Sequence, residues 1–258
     1  MRRRFTGNSQ GLIIDNYLTI VALEDGLTAR FFPNVCEYCI DGSGEWIVLS
    51  SNMETPAINA GQTLSFRASL RAATASGIGQ FVINKLCNLE GNCMSMLYAD
   101  KAVGKTSFMG ESNAFSNLFV NASTIVSVAR GFLPATTLAT SCYSGMFSGC
   151  TSLTTAPELP ATTLDLQCYY RMFSGCTSLT TAPELPATTL VPSCYSGMFR
   201  NCKSLNYIKA MFTTKPSMYT DGWVYGVAST GTFVKSKDAT WDVTGYSGVP
   251  SGWTIKKE

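Results

Sequence analysis

Histidine is absent from all 258 residues. That removes Ser-His-Asp and Cys-His nucleophile activation, and most catalytic metal sites, which draw on imidazole as base or ligand. Charge is scarce too: Asp, Glu, Lys and Arg make up 14% of the chain and nearly cancel to +2, too little for a nucleic-acid interface. No apolar run reaches bilayer-spanning length, so no membrane insertion is expected. Arg2, Arg3 and Arg4 resemble the start of a secretory leader, but FTGNSQGLIIDNYLTI is broken by Gly, Asn, Ser, Gln and Asp where roughly 7–15 uninterrupted apolar residues are needed.

What is present is repetition. CTSLTTAPELPATTL runs from Cys150 to Leu164 and returns unchanged from Cys176 to Leu190, a period of 26. The segments before it keep step: SCYSGMFSGC (Ser141–Cys150), QCYYRMFSGC (Gln167–Cys176) and SCYSGMFRNC (Ser193–Cys202) place Cys, Met, Phe and Cys at matching offsets. A fixed period in the twenties marks a solenoid, in which each unit buries its apolar face against its neighbours. At about 100° per residue, Cys142, Met146, Cys150, Tyr143 and Phe147 fall on one face and Ser144 and Ser148 on the other, which predicts a short amphipathic helix. The Thr-rich SLTTAP that follows predicts a strand stopped by Pro157. Leu159, Leu164 and their copies Leu185 and Leu190 are expected to hold the return loop on the core.

The step MFSGCTSL followed by ELP resembles the BspA-type leucine-rich repeat, over roughly residues 114–205. The resemblance implies a parallel sheet on one face of a rod and short helices on the other. It also implies a protein-interaction or adhesion role at a surface, as in gut anaerobes and their phages, and no enzyme. The period is slightly longer than that family's and the units are few.

Organisation follows. Residues 1–12 read as a basic arm, either solvated or docking Arg2, Arg3 and Arg4 onto an acidic patch of an assembly. Residues 13–86 hold short β-type runs (YLTIVAL, LTARFF, VCEYCI, EWIVLS, TLSFRASL, GQFVIN) between Gly and Asp turns, which predicts an antiparallel β-sandwich. Within it Trp46 reads as core, with a sugar-binding aromatic left open. Residues 87–205 form the solenoid, with 26-residue units from about residue 133 and degenerate first units. There Ala114–Ala122 maps onto Cys142–Cys150 with a shift of 28, Ala standing at both Cys positions. Residues 206–258 form a C-terminal β cap with Trp223, Trp241 and Trp253 over the open end. The fold class expected is therefore an α+β/solenoid mix: sandwich, strand-plus-helix solenoid, cap.

Six of the ten cysteines form two columns, Cys142, Cys168, Cys194 and Cys150, Cys176, Cys202. A buried thiol ladder, disulfides and an all-Cys metal site all stay open, though columns spaced by whole repeats do not cluster four sulfurs. Neither cofactor nor metal is expected. Gly226–Gly231 has phosphate-loop glycine spacing but continues Thr-Phe, without the Lys and hydroxyl that reach phosphate and Mg²⁺. Glu158 and Glu184 could imitate a glycosidase pair. Strand stacking about 5 Å apart instead predicts a surface acidic column, broken by Ala210.

The expectation is a non-enzymatic structural or attachment protein on a virion surface, bound to other proteins of that assembly and displaying its repeats to a host or mucosal protein or glycan. The absence of an export signal and the start at Met1 favour the virion setting. A bacterial cell-surface adhesin is the alternative, and homo-oligomerisation is left open. Candidate partner-binding residues are Thr154, Thr155, Glu158, Thr180, Thr181 and Glu184.

Overall fold

A computed structural model of the chain describes residues 16–70, 77–108 and 110–258. The arm carrying Arg2, Arg3 and Arg4 lies outside the described residues.

The N-terminal runs form strands β1 (Leu18–Ala22), β2 (Ala29–Phe32), β3 (Cys36–Ile40), β4 (Ile47–Leu49), β5 (Thr63–Arg67), β6 (Gln80–Ile83) and β7 (Cys87–Glu90). Alternation places Leu18, Ile20 and Ala22 in the core with Leu64 and Phe66 opposite. With β8 (Ile125–Val128) they build a six-stranded sheet ordered β4-β3-β5-β1-β7-β8, while β2 and β6 pair separately. Phe66 meets Phe81 across the two layers, with ring centroids 4.9 Å apart. The arrangement is sandwich-like, and its larger sheet takes in β7 and β8 from beyond residues 13–86. β7 and β8 run parallel, so this sheet continues directly into the repeats. Trp46 is also not core: it is half-buried under the Arg67 guanidinium, 4.2 Å from the ring centroid, and Arg67 is held by Glu37 and Asp100 at 2.7 Å each.

The expected strand-plus-helix solenoid is overturned. The regular structure is mostly strand, and the only α-helix among the described residues is α1 (Ser95–Tyr98), outside the repeating segments. Every fourth residue of each turn segment has a left-handed backbone: Ser141 (φ 53°), Gly145 (62°) and Gly149 (78°), then Gln167 (55°), Arg171 (52°) and Gly175 (79°). A right-handed helix cannot pass through such residues. The segment is instead a run of consecutive turns.

Its hydrogen bonding is complete in two directions. Within a segment the amides of Ser144, Met146, Ser148 and Cys150 donate to the carbonyls three residues back. The alternate amides, of Ser141, Tyr143, Gly145, Phe147 and Gly149, donate to Leu166, Cys168, Tyr170, Met172 and Ser174 of the next coil. The scheme recurs between residues 167–175 and the coil after, and in the degenerate coil at Asn113, Phe115, Asn117, Phe119 and Asn121. No buried amide of the segment is left to water.

Stacking at this interval aligns the interior. Phe81, Phe119, Phe147, Phe173 and Phe199 form one column, with successive centroids 5.5, 5.6, 5.7 and 5.9 Å apart. Phe115, Tyr143, Tyr169 and Tyr195 form a second. All ten cysteines are buried and free. The thiols of Cys150, Cys176 and Cys202 donate to the carbonyls of Phe119, Phe147 and Phe173 in the preceding coil, at 3.3, 3.2 and 3.0 Å. A small donor at that point closes the gap between coils.

The C-terminal region adds another coil to the stack. Tyr219, Asp221, Trp223 and Tyr225 accept from Tyr195, Gly197, Phe199 and Asn201. β9 (Tyr207–Ala210), before that coil, joins β10 (Thr232–Lys235) and β11 (Thr254–Lys257), after it, in a parallel sheet ordered β11-β10-β9. One hydrophobic core runs unbroken from Leu18 to Trp253.

Candidate binding surface

The return segments behave differently from the turn segments. Residues 154–155 bond back to β8, Thr154 donating to Val126 and Val128 to Thr155. Residues 180–188 bond forward to the β9 coil, through Thr180, Ala182, Leu185 and Thr188. Between the two identical segments, 154–160 and 180–186, no backbone hydrogen bond forms. Prolines at 157, 160, 183 and 186 supply no N–H to close that ladder.

A groove of about 700 Å³ opens there, crossing three coils. Val128, Pro157, Leu159 and Pro160 give it an apolar floor, and Thr155, Glu158, Glu184 and Arg130 stand among its lining residues. Of the six residues predicted from sequence, the structure brings Thr155, Glu158 and Glu184 together in this groove. Thr154, Thr180 and Thr181 are exposed but outside its lining, and the Thr154 hydroxyl donates to the Val126 carbonyl at 3.1 Å.

The expected acidic column is neutralised in place. Arg130 lies 3.2 Å from Glu158, and Lys209 lies 3.4 Å from Glu184 and 3.1 Å from Glu258. These carboxylates raise the pKa of Lys209, the hydrogen bond to Glu258 contributing most. Both glutamates are more than half exposed. A general acid is made by burial away from cations, and neither residue has that setting. Arg130, Val128 and the prolines are among the lining residues that sequence reasoning missed; the doubled Pro-Glu-Leu-Pro was the signal for the prolines.

A second, polar cleft of about 430 Å³ lies on the turn segments, lined by residues that include Asn113, Asn117, Gln167, Tyr170 and Arg171. Among the described residues no group of His, Cys, Asp and Glu is placed to hold a metal ion, and no helix is long and apolar enough to cross a membrane. The cysteine columns point inward. Burial pushes the thiols of Cys168 and Cys176 well above their ordinary pKa, which keeps them protonated and unreactive.

Comparison of the chain with protein-family models, with curated proteins and with solved structures finds no match.

Proposed function

We propose that the chain is a non-enzymatic attachment protein, carried on the surface of a virion, whose stacked coils hold an extended segment of a host-surface protein in the proline-walled groove. The observation that carries this reading is the missing ladder between two coils of identical sequence. It leaves main-chain groups of residues 154–160 and 180–186 unbonded to one another above an apolar floor, with charges of both signs at the rim. An extended polypeptide offers complementary backbone groups and side chains for that floor.

The interior supports a passive role. Thiols, phenol rings and methionines fill the coils, and the groove carboxylates of Glu158 and Glu184 are engaged by cations. Ten unpaired cysteines also suit a chain that folds in a reducing compartment and reaches the outside by assembly, because oxidising export favours disulfides.

The test is competition. Purified chain is added to intact particles and host cells, and particle attachment is counted. The wild type is expected to block attachment, and Glu158→Lys with Glu184→Lys, at unchanged melting temperature, to block it poorly. Absence of the chain from purified particles sinks the virion assignment. Equal blocking by the double variant sinks the groove.

A further inference from the structure

The turn segments Ser141–Cys150 and Gln167–Cys176 differ at three positions only: Ser141 against Gln167, Ser144 against Tyr170, and Gly145 against Arg171. All three replacing residues, Gln167, Tyr170 and Arg171, line the same polar cleft. The next segment, Ser193–Cys202, returns to Ser193, Ser196 and Gly197 at those places. The middle coil therefore departs from both neighbours at one surface patch and nowhere else within the aligned core positions.

The departure has a backbone cost. Arg171 has φ 52°, in a column where Gly145 and Gly197 have φ 62° and 64°. An ordinary side chain there costs about 1–2 kcal/mol. Side chains at left-handed positions recur in these segments, at Asn117, Ser141 and Ser193 among others, but Arg171 is the charged one. Arg171 is exposed, its stem lying over Gly197 while the guanidinium reaches the cleft, and Tyr170 is half-buried. No carboxylate is paired with Arg171 among the described residues; its guanidinium lies 5.1 Å from the Tyr170 ring centroid.

The chemistry of the cleft selects its ligand. Around Tyr170 and Arg171 stand the amides of Asn113, Asn117 and Gln167 and the hydroxyl of Ser144, and no aliphatic side chain lines it. Amides and hydroxyls both donate and accept, as vicinal sugar hydroxyls require. A tyrosine ring offers an apolar flat with a polar tip. An exposed guanidinium fits a carboxylate in two parallel bonds. A peptide ligand would need apolar contacts that this cleft lacks.

We propose that the cleft at Tyr170 and Arg171 binds a carboxylate-bearing saccharide. Arg171 pairs the carboxylate, Tyr170 covers a sugar face, and Asn113, Asn117 and Gln167 bond its hydroxyls. The cleft shares no lining residue with the proline-walled groove and does not depend on it.

The experiment titrates the whole chain by calorimetry with 3′-sialyllactose, oligogalacturonate, the methyl ester of the latter, lactose and polyglutamate. Arg171→Gly and Tyr170→Ser, which restore the neighbouring coils' residues, are compared at verified melting temperatures. Wild type is expected to bind at least one acidic saccharide, and each variant to bind it about tenfold or more weakly, as loss of a charge-assisted pair or a stacking face implies. The ester and lactose are expected to bind weakly to every form. The proposal is overturned if neither acidic saccharide binds, if both variants bind as wild type does, or if polyglutamate binds as tightly, which would assign the cleft to acidic peptides.

Discussion

Arg171 lies over Gly197, its Cγ 2.9 Å from the point a β-carbon on that glycine would occupy. Two coils nearer the N-terminus the amide oxygen of Asn117 fills the same space over Gly145. Along this one left-handed column, Asn117, Gly145, Arg171 and Gly197, a residue with a side chain is thus followed by a glycine. At the Arg171–Gly197 step the stacked coils leave room for one side chain, not both. Gly197→Ala is expected to cost about 2–3 kcal/mol, combining left-handed strain with overpacking against Arg171 Cγ, and to lower Tm by several degrees, while Gly145→Ala, where only the tip of Asn117 has to swing aside, costs about 1–2 kcal/mol. Gly131 has φ 78° with nothing near its missing β-carbon. Gly131→Ala pays the strain alone and serves as the reference; equal losses at all three sites would refute the stacking argument.

The same contact predicts a coupling. Arg171→Gly removes both the strained side chain and the obstruction above Gly197, so Tm is expected to hold or rise. In the double variant with Gly197→Ala, part of the single variant's loss is expected to return, a coupling of about 1 kcal/mol in a thermodynamic cycle. Strict additivity would show that the two coils do not press on each other here.

The period, the columns and the identity of the interior residues were legible because burial repeats every 26 residues whatever the local backbone does. The local backbone was not. Cys142, Met146 and Cys150 recur at steps of four, and a helical face and a run of four-residue turns share that spacing. The discriminating signal was Gly145 and Gly149, with Ser141 before them, at the positions where φ is positive. The groove was less legible still. Residues 154–160 and 180–186 are identical, so no local feature separates them; one lies against β8 and the other against β9, and the gap falls between. The added coil at Tyr219–Tyr225 was hidden by a one-residue change in the offset of its acceptors, from 25 between Tyr169 and Cys194 to 24 between Tyr195 and Tyr219.

Alkali is expected to unfold this protein early. Burial holds the thiols of Cys36, Cys87 and Cys202 protonated up to about 12, against an ordinary value of 9.0. Between those values the unfolded chain carries fewer protons than the native one, so stability falls as pH rises. The thiol contribution is whole below pH 9 and is lost progressively toward pH 12, on the order of 1 kcal/mol per thiol per pH unit. Buried Tyr143, Tyr169 and Tyr195 are shifted upward by burial and act in the same direction. Melting under reductant from pH 8 to 10.5 checks this: Tm should fall steeply, and less steeply in Cys176→Ala. A flat profile would contradict the buried columns.

Trp223 is where both aromatic columns end. Its ring meets Tyr195 at 6.4 Å and Phe199 at 6.2 Å, and its indole N–H donates to the Gly248 carbonyl at 2.9 Å. It occupies the offset that Met198 holds one coil earlier and is fully buried. Trp223→Ala is expected to cost about 3–5 kcal/mol by cavity formation alone. Because each coil contacts only its neighbours, the damage should spread from that end. In hydrogen exchange the amides of Gly197, Phe199 and Asn201, which bond into the Trp223 coil, should lose protection first. Those of Asn117 and Phe119, several coils away, should keep theirs. Uniform loss along the stack would mean that the coils unfold as one cooperative block rather than by fraying from the cap, and the tail would then have no special part in holding the interior dry.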